Sequence, residues 1–235
     1  MKNYDLRISN LDIEHKLKSH TEDFKVWINS NPVLDEDGFV DYYSYPKWSS
    51  IEKDVAVLFN QYDVRCLSED GINDLLWLVG KGSYNGTIIN LFDKDSKSFS
   101  NIGPLNEKQF YFLCLKAIKV NDEDVQIPFV NSFDKFNELN PEREKILLRF
   151  LKETKGETQY LALKNLFRLQ YFQIEELIEE AWRFDYWPTR HLCLNILKKQ
   201  KSPMLDKYEL EITKIEQDLV DEVKALQKKL SEKQE

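Results

Sequence analysis

Residues 158–200 read TQYLALKNLFRLQYFQIEELIEEAWRFDYWPTRHLCLNILKKQ, and this stretch decides how the chain folds. Gln159-x-x-Ala162-x-x-Asn165-Leu166 and Arg190-x-x-Cys193-x-x-Ile196-Leu197 superpose at an offset of 31 residues. Between them Ile174, Leu177, Ile178, Ala181 and Trp182 recur at i, i+3, i+4, i+7 and i+8, a single apolar stripe on a helix. A further step of 31 residues towards the N-terminus sets Ile146, Leu147, Phe150 and Leu151 under Leu177, Ile178, Ala181 and Trp182. Helices this short cannot bury their stripes alone, and a fixed period of this length marks helices stacked as repeats. The fold class expected is mainly α.

Outward from this stretch the signals stay helical. Towards the C-terminus, Ser202-Pro203 opens a last helix running to about residue 229, with Leu205, Tyr208, Ile212, Ile215 and Leu219 at a/d spacing. Val223, Leu226 and Leu230 follow after a four-residue step that interrupts the heptad. Towards the N-terminus, Asn140-Pro141-Glu142 is a start signal: a capping side chain, a proline in the first turn and an acid at the positive helix end. Gly156 is expected to close that helix, and residues 128–136 form a degenerate one before it. The polar run NDED at 121–124 sets a soft boundary, giving an N-terminal region 1–125 and a repeat region 126–235.

The N-terminal region is less regular. Residues 106–109 resemble a cap before a stripe of Phe110, Leu113, Cys114, Ala117 and Ile118. Residues 86–102 favour a small β-hairpin, because Thr87-Ile88-Ile89 suits a strand and DKDS a turn; Ile88, Leu91 and Phe92 also fit a helix. GKGSYNG before them lacks the spacing of a phosphate-binding loop and reads as a turn. Ser68 caps a helix carrying Ile72, Leu75, Leu76 and Val79, and Ser49 with Glu52 reads as a capping box before Ile51, Val55, Leu58 and Phe59. Residues 33–46 read as a loop with a short strand at 39–43; its DEDG run fails the EF-hand spacing, so no calcium site is expected there. Residues 21–29 form a short helix, and residues 1–20 are weakly patterned, an arm or a short helix.

Composition limits the function. A formal net charge of −8 argues against non-specific nucleic-acid binding, which needs Lys and Arg to displace phosphate counterions, and suits a basic partner instead. Cys66, Cys114 and Cys193 are widely spaced within apolar patterns and read as reduced core thiols, which with the lack of a signal-like N-terminus points to a cytoplasmic protein. No run is apolar enough to span a membrane, and no Cys/His spacing suits a metal, so no cofactor is expected.

At Arg190-x-x-Cys193-x-x-Ile196-Leu197, introduced by Trp187-Pro188, the chain resembles HEAT-like repeats, whose pattern is Val-Arg-x-x-Ala-x-x-Ala-Leu followed by a second helix. Thr189 stands for the Val, while Cys193 and Ile196 stand for the small residues. The earlier copy has Gln159 for the Arg but keeps Ala162 and Leu166. The match covers about residues 127–200. It implies an α-solenoid of helical hairpins and a scaffold role, and carries almost no chemistry.

Two clusters invite functional readings. Trp182, Arg183, Asp185, Tyr186, Trp187 and Arg190 could form a cationic-base site of the kind that HEAT-like DNA-repair glycosylases use on alkylated bases, with rings to hold the base and a carboxylate to stabilise developing charge. Trp182 lies in the apolar stripe, however, which favours a packing role. Glu175, Glu176, Glu179 and Glu180 fall opposite the stripe and, extended by Asp185, make an acidic ridge, either a solvated face or a docking surface. The function expected is a non-enzymatic protein–protein interaction module, in its most concrete form a bacterial immunity protein binding a basic toxin. Glu175, Glu176, Glu179, Glu180, Asp185, Tyr186 and Trp187 are its candidate contacts. No catalytic residues are assigned.

Overall fold

In the computed structural model, which describes residues 2–30, 41–82, 107–184 and 186–231, more than half of the chain is helical and the described residues contain no strand. Residues 86–102, where a hairpin is expected, lie outside the described residues. Contacts group the chain into two units, Met1–Leu169 and Gln170–Glu235.

The first unit opens with α1 (Lys2–Ser30), one continuous helix where the sequence suggests a short one after a weakly patterned arm. Its buried stripe is Ile13, Leu17, Thr21 and Phe24. A polar Thr inside the stripe, with exposed Leu11 and Val26 off it, blurs the periodicity that a sequence can show. Phe24 is fully buried and sits among the rings of Trp27, Tyr45, Trp48 and Trp77, with centroids 5.9, 4.5, 4.9 and 5.3 Å away. These rings come from α1, from the segment around a 3-10 turn at Tyr42–Ser44, from α2 (Trp48–Gln61) and from α3 (Glu69–Gly82). Offset and edge-on packing of this kind stabilises beyond the area it buries. Residues 42 and 43 lie in that 3-10 turn, which replaces the strand expected there.

The same cluster moves a helix start. Trp48 is buried and its indole N–H donates to the Tyr42 carbonyl at 2.6 Å. Helix α2 therefore begins at Trp48, with Lys47 at the cap and no capping side chain, and Ser49 with Glu52 does not act as a capping box. The Ser68 cap of α3 does form: its hydroxyl oxygen accepts from the Gly71 amide at 3.1 Å. Glu14 of α1 completes it by accepting from the Ser68 amide at 2.7 Å and from the Ser68 hydroxyl at 2.6 Å.

Helices α4 (Glu107–Ala117), α5 (Glu123–Asn131), α6 (Pro141–Glu153) and α7 (Gly156–Arg168) finish the unit. Asp122 caps α5, and Asn140 caps α6 by accepting from the amides of Glu142 and Arg143 at 3.1 and 2.8 Å. Gly80 lets α3 approach α5, since a Cβ there would lie 2.9 Å from the Asp124 carbonyl oxygen and the Val125 Cα. Thr154 ends α6, and Gly156, expected to close that helix, instead opens α7 with φ +55. Asn165, fully buried, donates to the carbonyls of Val130 and Leu161 at 3.1 and 3.2 Å. Arg168 donates to the carbonyls of Phe136 and Phe133 at 2.8 and 2.7 Å, so α7 is bolted to the chain that follows α5.

The second unit begins at Gln170, whose φ of 59 turns the chain out of α7. A 3-10 turn (Ile174–Leu177) leads into the one-turn α8 (Ile178–Ala181), then α9 (Trp187–Gln200) and α10 (Leu205–Ser231). The expected single helix over residues 174–182 is thus split. Gln173 supplies no capping bond, and the like charges of Glu175/Glu179 and Glu176/Glu180 at i, i+4 each cost a continuous α-helix a few tenths of a kcal/mol, so tighter 3-10 geometry wins the first turn. Lys201, left-handed at φ 53, closes α9.

Positions related by 31 residues have matching burial. Ala162, Asn165 and Leu166 are fully buried, as are Cys193, Ile196 and Leu197. Thr158 and Thr189 form another such pair: both are fully buried, and neither hydroxyl has a hydrogen-bond partner among the described residues. An unpaired buried hydroxyl costs on the order of 1 kcal/mol. Thr158→Val and Thr189→Val are each expected to raise stability by about 1 kcal/mol, read as a higher urea midpoint with an unchanged slope. A lower midpoint would mean that the hydroxyl is satisfied in solution.

Candidate functional site

The residues singled out from sequence all belong to the second unit. The stripe Ile174, Leu177, Ile178, Ala181 and Trp182 is buried. Opposite it Glu176, Glu179 and Glu180 are exposed and Glu175 is half-buried, so the carboxylates do line the outer side of the 3-10 turn and α8. Arg183 donates to Glu179 at 3.0 Å, with both side chains more than 70% exposed, and Gln173 donates to Glu176 at 3.2 Å. An ion pair this exposed contributes little stability and leaves the carboxylates available to a partner. Asp185 lies outside the described residues.

The aromatic cluster divides. Trp182 is core: it is 5% exposed, its ring lies 4.6 Å from that of Tyr208, and its indole N–H donates to Glu211 at 2.8 Å. This geometry spends the indole on packing. Tyr186 and Trp187 are half-buried at the start of α9. His191 sits edge-on to Trp187 at 5.3 Å, and the Arg190 guanidinium lies 5.6 Å from the Trp187 ring centroid while its Nε–H donates to the Trp182 carbonyl at 3.3 Å. Arg190 is therefore occupied in holding α9 to the end of α8.

One exposed aromatic residue of this segment has no signal in the sequence. Phe172 is 81% exposed, between buried Tyr171 and the acidic segment. Its only sequence signal is that it falls outside both neighbouring stripes, which gives no sign of burial or exposure until the turn at Gln170 is known.

The first unit holds a cleft of about 270 Å³ between the start of α5 and the α6–α7 connection. Lys119 and Lys155 line it together with Asp122, Glu123 and Glu153, a mixture of signs that selects no charge class. Gly156 suits this connection because its φ of +55 would strain any other residue. Hydrogen bonding to Arg149 holds the Glu153 carboxyl below its ordinary range.

The thiols separate as well. Cys114 and Cys193 are buried, and burial pushes the Cys193 thiol up to about 12 and that of Cys114 well above its ordinary value. Both stay protonated and inert. Cys66, expected in the core, is exposed, because the 3-10 turn at Val64–Cys66 buries Val64 instead. Among the described residues no group of three or more His, Cys, Asp or Glu is placed to hold a metal ion, and no helix is long and apolar enough to cross a membrane. Comparison with family models, curated proteins and solved structures returns no match.

Proposed function

We propose that this protein is a non-enzymatic interaction module that binds a basic protein through the outer face of residues 172–187. The observation that carries the reading is the exposure, within one short segment, of Glu176, Glu179 and Glu180 together with Phe172. Carboxylates steer a cationic partner and fix its register, while Phe172, Tyr186 and Trp187 supply apolar anchors that can be desolvated at the centre of the contact. The concrete form of this role is an immunity protein that neutralises a cationic toxin, such as a nuclease, by covering its active site. The scaffold in this reading is an α-solenoid of HEAT-like hairpins, α6 with α7 and α8 with α9, supported by the matched burial at a 31-residue spacing.

The test is a pull-down from the native cell with the wild-type chain and with Glu175, Glu176, Glu179 and Glu180 changed to Lys. A basic partner retained by the wild type is expected to be lost, with at least tenfold weaker binding at low salt, because complementary charge is replaced by repulsion. If every partner survives the reversal, the ridge is a solvated face and this reading fails.

A further inference from the structure

The last helix carries a second surface that the ridge does not use. Tyr208 and Ile212 of α10 are buried in the second unit, but beyond them the apolar positions emerge into solvent: Leu219 is 50% exposed, Val220 46% and Val223 52%. The helix nevertheless continues to Ser231, and the sequence keeps supplying apolar residues at Leu226 and Leu230. At about 1.5 Å per residue, the stretch from Ile215 to Leu230 is roughly 23 Å of helix whose sequence carries an apolar seam, and its described members Leu219 and Val223 are exposed. A seam of this kind is ordinarily closed by another helix.

The charges say which helix. Residues 216–222 hold Glu216, Asp218, Asp221 and Glu222 and no basic residue. Residues 224–230 hold Lys224, Lys228 and Lys229 and no acidic one. Among the described side chains, Lys224 lies 3.8 Å from Asp221, with both mostly exposed, and Gln217 donates to Asp221 at 3.1 Å. The helix is therefore an acidic block followed by a basic block on either side of Val223, and a copy of itself running the opposite way is its complement.

We propose that the C-terminal half of α10 pairs with α10 of a second copy of this chain as a short antiparallel coiled coil centred between Glu222 and Val223. This register sets Ile215 opposite Leu230 and Leu219 opposite Leu226, a-to-d layers as an antiparallel pair requires. It also sets the Asp218 position beside that of Lys229, twice through the two-fold axis, and lays each acidic block along the partner's basic block. A parallel pair would stack the acidic block on itself. The four-residue step after Leu219 relaxes the supercoil at the centre of the seam, which suits two nearly straight helices.

Sedimentation of the full-length chain from low to high micromolar concentration tests this. The wild type is expected to pass from monomer to dimer, with the dimer weakened by added salt. One variant carries Lys224→Glu, Lys228→Glu and Lys229→Glu; a second carries Glu216→Lys, Asp218→Lys, Asp221→Lys and Glu222→Lys. Each alone is expected to raise the dimer dissociation constant at least tenfold, and an equal mixture of the two to restore pairing. Glu216, Asp218, Asp221 and Lys224 are exposed, so circular dichroism should stay unchanged, which separates lost pairing from lost folding. Orientation is read in a Cys66→Ser background: Leu219→Cys and Leu226→Cys chains oxidised together should give the mixed disulfide. A wild type that stays monomeric, a dimer indifferent to both charge variants, or a Leu219→Cys chain that cross-links to itself would overturn the proposal.

Discussion

Trp182→Ala is expected to destabilise the second unit by about 4 kcal/mol, the cost typical of truncating a buried Trp. The side chain is 5% exposed, packs at a tilt against Tyr208 and donates to Glu211, so the substitution opens a cavity where α8 meets α10. Trp182→Phe keeps a ring against Tyr208 and loses the hydrogen bond and part of the volume, and should cost only about 1–2 kcal/mol. Denaturant unfolding followed separately in the two units measures both, since two units need not melt together. The pattern decides between two roles for this residue. A Trp held ready for a ligand would be replaced with little loss of stability; if Trp182→Ala unfolds like the wild type, its core assignment is wrong.

The second large effect belongs to the first unit. Arg143 is buried, yet its guanidinium is fully employed: Nε donates to the Tyr111 hydroxyl at 2.9 Å, Nη1 to the Glu138 carbonyl at 2.8 Å and Nη2 to Glu107 at 3.2 Å. The planar group also lies 3.9 Å from the centroid of Phe136. Tyr111 passes the chain on by donating to Glu107 at 2.9 Å. Burial pushes the Tyr111 phenol above its ordinary value, and Arg143 counters that by favouring the phenolate. Arg143→Met keeps most of the stem volume but strands the Glu138 carbonyl and the Tyr111 oxygen, and is expected to cost about 3 kcal/mol. The loss is not larger because Glu107 is half-exposed and water can take over its share. Arg143→Lys should recover less than half, since one ammonium cannot serve three directions and does not stack as a guanidinium does. An Arg143→Lys protein as stable as the wild type would show that the network contributes only charge.

The proposed ridge, the exposed Phe172 and the α10 seam all lie in the smaller unit, while the buried polar networks of Arg143, Asn165 and Arg168 lie in the larger one. That distribution fits a division in which Met1–Leu169 gains rigidity from satisfied interior bonds and the remainder presents surface. Both proposed faces of the second unit would act through charge placed on short or solvent-exposed helices, so binding at either is expected to weaken with ionic strength, whereas the stability of the first unit is not.

Sequence periodicity alone determined that this chain is helical and where its clearest helices run. The Asn140-Pro141 start of α6, the Ser68 cap and the helix of α10 are local signals, set by residues three or four apart, and each is found where the sequence puts it; the stripe from Ile174 to Trp182 is buried as expected, but on a 3-10 turn and a short helix rather than one helix. The outward face of Glu176, Glu179 and Glu180 was legible for the same reason, because it is the complement of the stripe. What only the tertiary structure decided depends on partners distant in sequence. Trp48 takes the Tyr42 carbonyl and moves the start of α2; Thr21 is buried in the middle of α1; Cys66 is turned outward because Val64 fills the core. The fate of α10 was decided the same way. Its spacing promises a packed helix throughout, but the second unit supplies Trp182 and its neighbours to cover only Tyr208 and Ile212. Leu219, Val220 and Val223 are left exposed.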